Sequence, residues 1–231
     1  MNLQERLKNQ PIETQAKYAN KYLVEAFNQS LFLTSKHLCG YREVNINTHG
    51  DMIYCLESKT NRKLIIMPRG TFKSSVSSVA YPIWLLNNNP NLRILLDSEL
   101  YTNSKNFLRE IKTHLTRPKI EGLYGVYRND SCWNESEILI NQRTETKKEA
   151  SITASGIGAE KTGQHYDVII MDDLNSPSNS GTQEGLEKVI QHYRYNISIL
   201  EPNGIMVVVA TRYQERDIPG FILRNEVEDA V

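Results

Sequence analysis

The sequence predicts an α/β fold, a mostly parallel central sheet flanked by helices and preceded by a helical N-terminal segment. Three observations carry this. Four short, largely apolar runs, Leu64–Met67, Arg93–Asp97, Asp167–Met171 and Ile205–Ala210, are each bounded by turn or polar residues. They read as strands buried on both faces. Helical stretches alternate with them, the pattern of parallel strands joined by crossover helices. Two of the runs also end in reactive side chains, Lys73-Ser74 after the first and Asp172-Asp173 after the third. In a parallel sheet both would reach the carboxyl edge, where open α/β sheets bind their ligands.

In chain order, residues 12–38 carry a helical pattern, with Ala19, Tyr22, Leu23, Ala26 and Phe27 on one face of a 3.6-residue repeat. Val76, Val79, Ala80 and Ile83 mark a helix after the first strand, which Pro82 is expected to kink. Leu108, Ile111 and Leu115 mark a second, and Leu186, Val189, Tyr193, Ile197 and Leu200 a third. Residues 137–154 read as two strands joined by a polar, basic turn region. The final residues, ERDIPGFILRNEVEDAV, read as a short helix or linker running off the core. There is no internal repeat and no low-complexity tract. The expected organisation is a helical segment over 1–60, a core over 61–215 and a linker over 216–231.

Composition narrows the classes. A chain of 231 residues with 23% charged and 39% hydrophobic residues suits one large domain or one domain with a small satellite. Extended disorder, collagen and coiled-coil rods are excluded. No apolar run approaches the roughly 18 residues that cross a bilayer, and the start, MNLQERLKNQ, lacks the apolar stretch of a signal peptide. Three cysteines, Cys39, Cys55 and Cys132, form an odd set at unrelated spacings, which suits free thiols in a reducing compartment. With 27 basic and 27 acidic side chains, any contact with nucleic acid has to be local.

The stretch from Leu64 to Ser75 is the most informative. A buried strand runs into a turn holding Gly70, then Lys73-Ser74, then a helix. That context lets backbone N–H groups and a helix N-terminus surround a phosphate. Lys73 would reach the β/γ-phosphates and the Ser74 hydroxyl would bind Mg²⁺. Met67 and Phe72 stand where the general pattern has glycines, so an ordinary strand–turn–helix with a surface lysine is the alternative. Arg69 could bridge a phosphate and a neighbouring carboxylate bidentately. At the other strand tip, Asp172 would hold the metal and Asp173 the attacking water. The bland alternative is solvated charge at the end of a strand.

MPRGTFKSS, YDVIIMDDLNSP and VVVATRYQERDIPGFIL, in this order and spacing, resemble the ATPase domain of tailed-phage large terminases, motors that pump DNA into procapsids. The likeness covers most of residues 40–225. The resemblance implies a P-loop NTPase of the additional-strand type, with the N-terminal segment as a lid over ATP. It assigns Pro68, Arg69, Gly70, Thr71, Phe72, Lys73, Ser74 and Ser75 to the nucleotide, and Ser74 and Asp172 to Mg²⁺. Asp173 takes the place of the catalytic acid, often glutamate in the family, beside Lys73. Thr211 and Arg212 fall on the coupling motif. A basic finger supplied to a neighbouring subunit falls on Lys161, with Arg143 and Arg194 behind it. Implied partners are double-stranded DNA, the portal and procapsid, and a small terminase subunit. The chain would be a monomer in isolation, a homo-oligomeric ring when assembled, and free of membranes in the cytoplasm of the infected bacterium. No nuclease activity is expected of these residues, because Glu226, Glu228 and Asp229 sit in a tail without a following strand pattern. The alternatives are another nucleic-acid-dependent P-loop ATPase, such as a helicase or repair translocase, and a non-catalytic nucleotide-binding scaffold.

Weaker signals remain. Arg117, Lys119, Arg143, Lys147 and Lys148 could touch a DNA backbone, although such runs are more often solvated surface. His37, Cys39, His49 and Cys55 match no familiar zinc spacing. Trp84 and Trp133 read as packing residues.

Overall fold

The computed structural model describes residues 11–226 except 160, 177, 178 and 180. The leading MNLQERLKNQ and the tail acids Glu228 and Asp229 lie outside the described residues.

Seven strands form one sheet: β1 (Arg62–Ile66), β2 (Ile94–Ser98), β3 (Arg128–Trp133), β4 (Glu137–Ile140), β5 (Ile152–Gly156), β6 (Tyr166–Asp172) and β7 (Leu200–Ala210), in the order β1-β7-β6-β2-β5-β4-β3. The run β1-β7-β6-β2-β5 is parallel throughout. The β4 and β3 strands add an antiparallel extension, with Glu137 opposite Thr153 and Ile138 opposite Ile152. All four apolar runs are strands, and residues 137–154 form the expected pair. The position of β7 between β1 and β6 is the additional strand of this fold class.

The helices are α1 (Ile12–Gln29), α2 (Leu31–Leu33), α3 (Ile46–Glu57), α4 (Tyr81–Asn88), α5 (Tyr101–Leu115), α6 (Pro118–Tyr124), α7 (Gln183–Ser198) and α8 (Ile218–Asn225). Two π-helical stretches, Thr34–Leu38 and Ser75–Ala80, follow α2 and precede α4. Strand residues alternate between two apolar clusters. Val168 and Ile170 of β6 face α2–α5, together with Val207 and Val209 of β7. Ile169 and Met171 face α7 and α8, together with Met206 and Val208. Burial on both faces is why these strands read as continuous apolar runs.

Five expectations are corrected. On α1 only Phe27 is buried, while Tyr22 and Leu23 are 46% and 43% exposed, so most of the apolar stripe is not spent on this core. The helix ends at Ser30, whose hydroxyl accepts from Leu33 N–H and starts α2 afresh. Pro82 does not kink a regular helix. It falls at the second residue of α4, directly after the π-helical stretch, where its missing N–H sits at a junction. The C-terminal helix does not run off the core: Ile218 and Ile222 of α8 are buried, and Phe221 meets Tyr193 edge-on at 6.4 Å. The third helix stops at Ser198, and Leu200 opens β7. Phe27, Leu31, Leu38, Val44, Met52, Ile53 and Leu56 of the N-terminal segment share the larger cluster with the sheet.

At the amino ends of the parallel strands, Arg93 joins three of them. Its backbone N–H and Nε donate to Asp167 Oδ2 at 2.8 and 3.0 Å. Its Nη2 reaches Asp167 Oδ1 at 2.8 Å and Glu201 Oε1 at 2.6 Å, and its Nη1 reaches Glu149 Oε2 at 3.3 Å. Burial alone would raise the Asp167 and Glu149 carboxyls. Hydrogen bonds to Arg93, and from His165 N–H to Glu149, hold both below their ordinary values of 3.8 and 4.5. Carboxyls depressed in the folded state stabilise it above those ordinary values, and lose that contribution as the pH falls through their folded values. Arg93→Ala, which strands Glu149 in the interior, is expected to cost about 3 kcal/mol in denaturant unfolding at pH 7. The gap from wild type should narrow below about pH 4, where the carboxylates protonate anyway.

Candidate functional site

The turn after β1 stays attached to β7, because Met67 N–H donates to Ala210 O at 3.1 Å. The chain then bends through Gly70 (φ +77°) and Phe72 (φ +53°) before Val76 N–H, bonded to Phe72 O at 3.1 Å, begins the helical stretch. Thr71 Oγ1 donates to Pro68 O at 2.8 Å, and His49 Nε2 of α3 meets Thr71 O at 2.8 Å from the far side. Phe72 therefore takes the left-handed backbone that the glycine of the general pattern would take, with its ring 39% exposed. Among the described residues, the other non-glycine residue with positive φ is Asp173 (φ +47°). Both strained backbones flank one cleft, where strain tends to collect.

In that cleft the two predicted segments meet. Lys73 Nζ lies 3.3 Å from Asp173 Oδ2, with the lysine side chain 7% exposed and the aspartate 34%. Asp172 is buried beside them, its Oδ2 accepting from Ser78 Oγ at 2.6 Å. Burial pushes the Asp172 carboxyl up to about 6, against the lowering effect of hydrogen bonds from Ser78 and Ser74 and the charge of Lys73; Asp173 adds to the rise. Its Oδ1 is buried with no hydrogen-bond partner among the described residues. An orphaned carboxylate oxygen next to the Ser74 hydroxyl is a hard oxygen donor set that fits Mg²⁺.

Thr211, at the tip of β7, touches both neighbours. Its N–H donates to Asp173 Oδ1 at 3.2 Å and its Oγ1 to Met67 O at 3.3 Å. Arg212 pairs through Nε with the buried Asp217 Oδ1 at 3.3 Å. Arg69 is exposed and its guanidinium, 5.1 Å from the ring centroid of Tyr213, donates to the Tyr213 hydroxyl. Pro68, Arg69, Gly70, Thr71, Phe72, Lys73, Ser74, Ser75, Asp172, Asp173, Thr211 and Arg212 thus come together on one edge.

Lys161 lies elsewhere on that edge. Its side chain is half-buried, which lowers its ammonium below the usual lysine range while the charge of Asp97 opposes the shift, and its N–H donates to Tyr195 OH. Asp97, at the tip of β2, accepts from Asn196 Nδ2 at 2.7 Å and meets His192 Nε2 at 2.6 Å. Arg194 stacks over Phe221. Arg143 bonds Glu149 O at 2.7 Å, among the amino-end ion pairs and away from the phosphate turn. The other basic candidates hold their own chain: Arg117 on Cys39 O, Lys119 on His37 O, Lys147 on Asn91 O and Lys148 on Gly163 O. Trp84 is half-buried, donates to Asn28 O at 2.9 Å and stacks on Tyr81. Trp133 is half-buried under Lys112.

Sequence reasoning missed Ser78, His49, Tyr213 and Asp217. Ser78 was within reach of a pattern argument, since it follows Ser74 by one helical turn. Asp217 lies four and five residues beyond its partners Tyr213 and Arg212, whereas His49 and Tyr213 meet the phosphate turn only through tertiary packing.

No family profile matches the chain. It is 29% identical over 188 residues to the large terminase subunit of Enterobacteria phage T3, a match that covers 78% of this chain and 30% of that protein. Its fold is similar to the crystal structure of the HK97 bacteriophage large terminase, with a TM-score of 0.57 at 10% identity, over 86% of this chain and 40% of the other. The chain spans well under half the length of either. Both are large terminases, the group that the three sequence motifs resemble.

Two outcomes are expected. Phe72→Val places a β-branched residue in the left-handed region and should lower stability by about 1–2 kcal/mol, whereas Phe72→Gly should stay within about 1 kcal/mol of wild type in thermal unfolding. In chelator-treated protein, Asp172→Asn should be more stable than wild type by about 2–3 kcal/mol at pH 7. Because the folded carboxyl titrates above its unfolded value, it costs stability only when ionised, so the gain should vanish between about pH 6 and pH 4.

Proposed function

We propose that this chain is the ATPase part of a phage DNA-packaging motor, hydrolysing ATP with Mg²⁺ to drive double-stranded DNA into a procapsid. The observation that carries the reading is the meeting of Lys73 and Asp173 at 3.3 Å, beside a buried Asp172 with an unshared oxygen. Both matched proteins are large terminases, which supports the motor over a general nucleic-acid ATPase.

The backbone of Arg69–Ser75 would cradle the triphosphate, with Lys73 on the β/γ-phosphates. Mg²⁺, held by Ser74 and Asp172, would neutralise phosphate charge as the γ-phosphoryl group leaves. Lys73 is shared between Asp173 and the phosphates, so an incoming triphosphate would draw it off and free Asp173 Oδ2. Asp173, its other oxygen held by Thr211 N–H, would then accept a hydrogen bond from the attacking water. Thr211 would report the state of that carboxylate to β7 and, through its hydroxyl, to Met67. Ser78 keeps Asp172 oriented.

The trans-acting basic group is assigned to Lys161, which would have to leave its buried place near Asp97 to reach a neighbour. Ring assembly, the portal and a small terminase subunit as partners, and action in the host cytoplasm belong to the same reading. No helix among the described residues is long and apolar enough to cross a membrane. The domain reading is a helical lid segment over 1–60 and the ATPase core over 61–215; the segment from 216, expected as a linker, packs on that core through α8.

The test is phosphate release by the chain with Mg·ATP, alone and with DNA and procapsids. Slow turnover in isolation and faster turnover on assembly are expected, because the finger comes from a neighbour. Lys73→Ala should lower turnover about a thousandfold or more with an unchanged melting profile. A folded Lys73→Ala protein with wild-type turnover overturns the site, and nucleotide binding without hydrolysis in the assembled motor favours the scaffold alternative.

A further inference from the structure

The tip of β2 sends its last two side chains to opposite faces of the sheet. Asp97 goes to the α7 side, where it meets His192 and Asn196. Ser98 goes to the other, the side of Ile94 and Leu96, which share the larger cluster with Val168 and Ile170 of β6. Ser98 closes β2 as Asp172 closes β6, and the two are direct partners in the parallel register. They therefore stand side by side on one face, on backbones about 4.8 Å apart. The remaining register neighbours are not polar. On β5, Ser98 lies beside Gly156, where a Cβ would come within 2.6 Å of Tyr101 N; on β7, Asp172 lies beside Val209.

Both side chains are buried, and each has one polar atom without a hydrogen-bond partner among the described residues, Ser98 Oγ and Asp172 Oδ1. A hydroxyl can donate and a carboxylate oxygen accepts, so the two atoms are complementary, yet they do not bond each other. Buried polar groups are rarely left in that condition, and a complementary pair in register suits a ligand that touches both. The second carboxylate oxygen is already engaged, since Oδ2 accepts from Ser78 Oγ at 2.6 Å. A hydrated divalent cation meets these requirements. Mg²⁺ dehydrates reluctantly and keeps several waters, so its site needs hydrogen-bonding groups for the hydration shell as well as oxygens for the ion. Ser74 and Asp172 offer the oxygens, and Ser98 offers the hydration shell a hydroxyl.

We propose that Ser98 is a positioning residue of the divalent-cation site, its hydroxyl holding a water of the cation's hydration shell against Asp172. This role rests on the Mg²⁺ reading of Asp172 and adds to it a residue from β2, outside both the phosphate turn and the acid pair. Groups that orient a metal site from beyond its direct ligands carry about 10- to 100-fold in metal affinity. A single neutral hydroxyl acting through water belongs at the lower end, about tenfold.

The test is isothermal titration of the 231-residue chain with ATPγS, once with Mn²⁺ and once in excess EDTA, for wild type, Ser98→Ala, Ser98→Thr and Asp172→Asn. Ser98→Ala should bind Mn·ATPγS about tenfold more weakly than wild type, and metal-free ATPγS within about twofold of it. Ser98→Thr, which keeps the hydroxyl, should bind Mn·ATPγS within about threefold of wild type. In EDTA, Ser98→Ala should melt no earlier than wild type, because an unpartnered hydroxyl gives way to a methyl group without loss of a hydrogen bond. Unchanged Mn·ATPγS binding by Ser98→Ala, an equal loss in EDTA, or no recovery in Ser98→Thr overturns the inference; the cation reading still stands if Asp172→Asn weakens Mn·ATPγS alone. Equal Mn·ATPγS binding by Asp172→Asn and wild type removes both. Should Ser98→Ala melt early, the same comparison made with Ser98→Cys, close to serine in size and a weak donor, decides the matter.

Discussion

The site depends on one constraint, the single strand inserted between β1 and β6. Neighbouring strands lie about 4.8 Å apart, so the tips of β1 and β6 are about 10 Å from each other across β7. A carboxylate on one tip cannot reach the backbone of the other. The gap is bridged by the length of a lysine, set at the far end of a turn that arcs back over the sheet edge, and by the tip of β7 itself. Thr211 fills the space beneath, with one bond to each side. Were β1 and β6 direct neighbours, Lys73 and Asp173 would crowd and Thr211 would have no place. Were two strands inserted, the lysine would fall short. The topology thus sets the cleft width before any side chain is chosen.

That cleft is costly, and the opposite edge of the sheet is arranged to bear the cost. At the carboxyl edge, burial raises the Asp172 carboxyl and two non-glycine residues take left-handed backbones. At the amino edge, Arg93 satisfies Asp167, Glu149 and Glu201 together and ties β2 to the starts of β6 and β7. The same strands carry stabilising charge pairs at one end and destabilised, chemically useful groups at the other. A buried ion-pair hub is weak evidence for net stability when compared with an apolar replacement. Its geometry nevertheless ties together the starts of the strands whose far ends bring Asp173 and Thr211 into contact.

How much of this was legible follows from what each signal depends on. The parallel strands were readable because burial on both faces writes an unbroken apolar run, and residues 137–154 because two short runs flank a polar turn. The lysine turn and the acid pair were readable because strand tips carry their chemistry at fixed offsets. The face of α1 misled, since the periodicity of Tyr22 and Leu23 shows that a helix is amphipathic but not that this core covers it. Pro82 misled because a π-helical stretch cannot be inferred from residue type. His49 and Tyr213 reach the site across 22 and 144 positions of chain, and no local pattern encodes such contacts. Arg143 stood behind Lys161 as a candidate for the basic finger, and the fold sends it to the other edge of the sheet.

The departures from the general phosphate-turn and acid-pair patterns have a common physical explanation. Phe72 occupies a left-handed position without being a glycine, held there by the turn that Thr71 closes onto Pro68 and that His49 props from behind. Asp173, where the resemblance to large terminases often implies glutamate, is also left-handed. Asparagine and aspartate tolerate that region better than longer side chains, because their short polar groups can bond locally. Here the local bond is the Thr211 N–H to Oδ1. A glutamate on the same backbone would forgo that bond or swing its carboxylate past Lys73. An aspartate therefore suits a chain that turns sharply at the end of β6, and it still lies within 3.3 Å of Lys73.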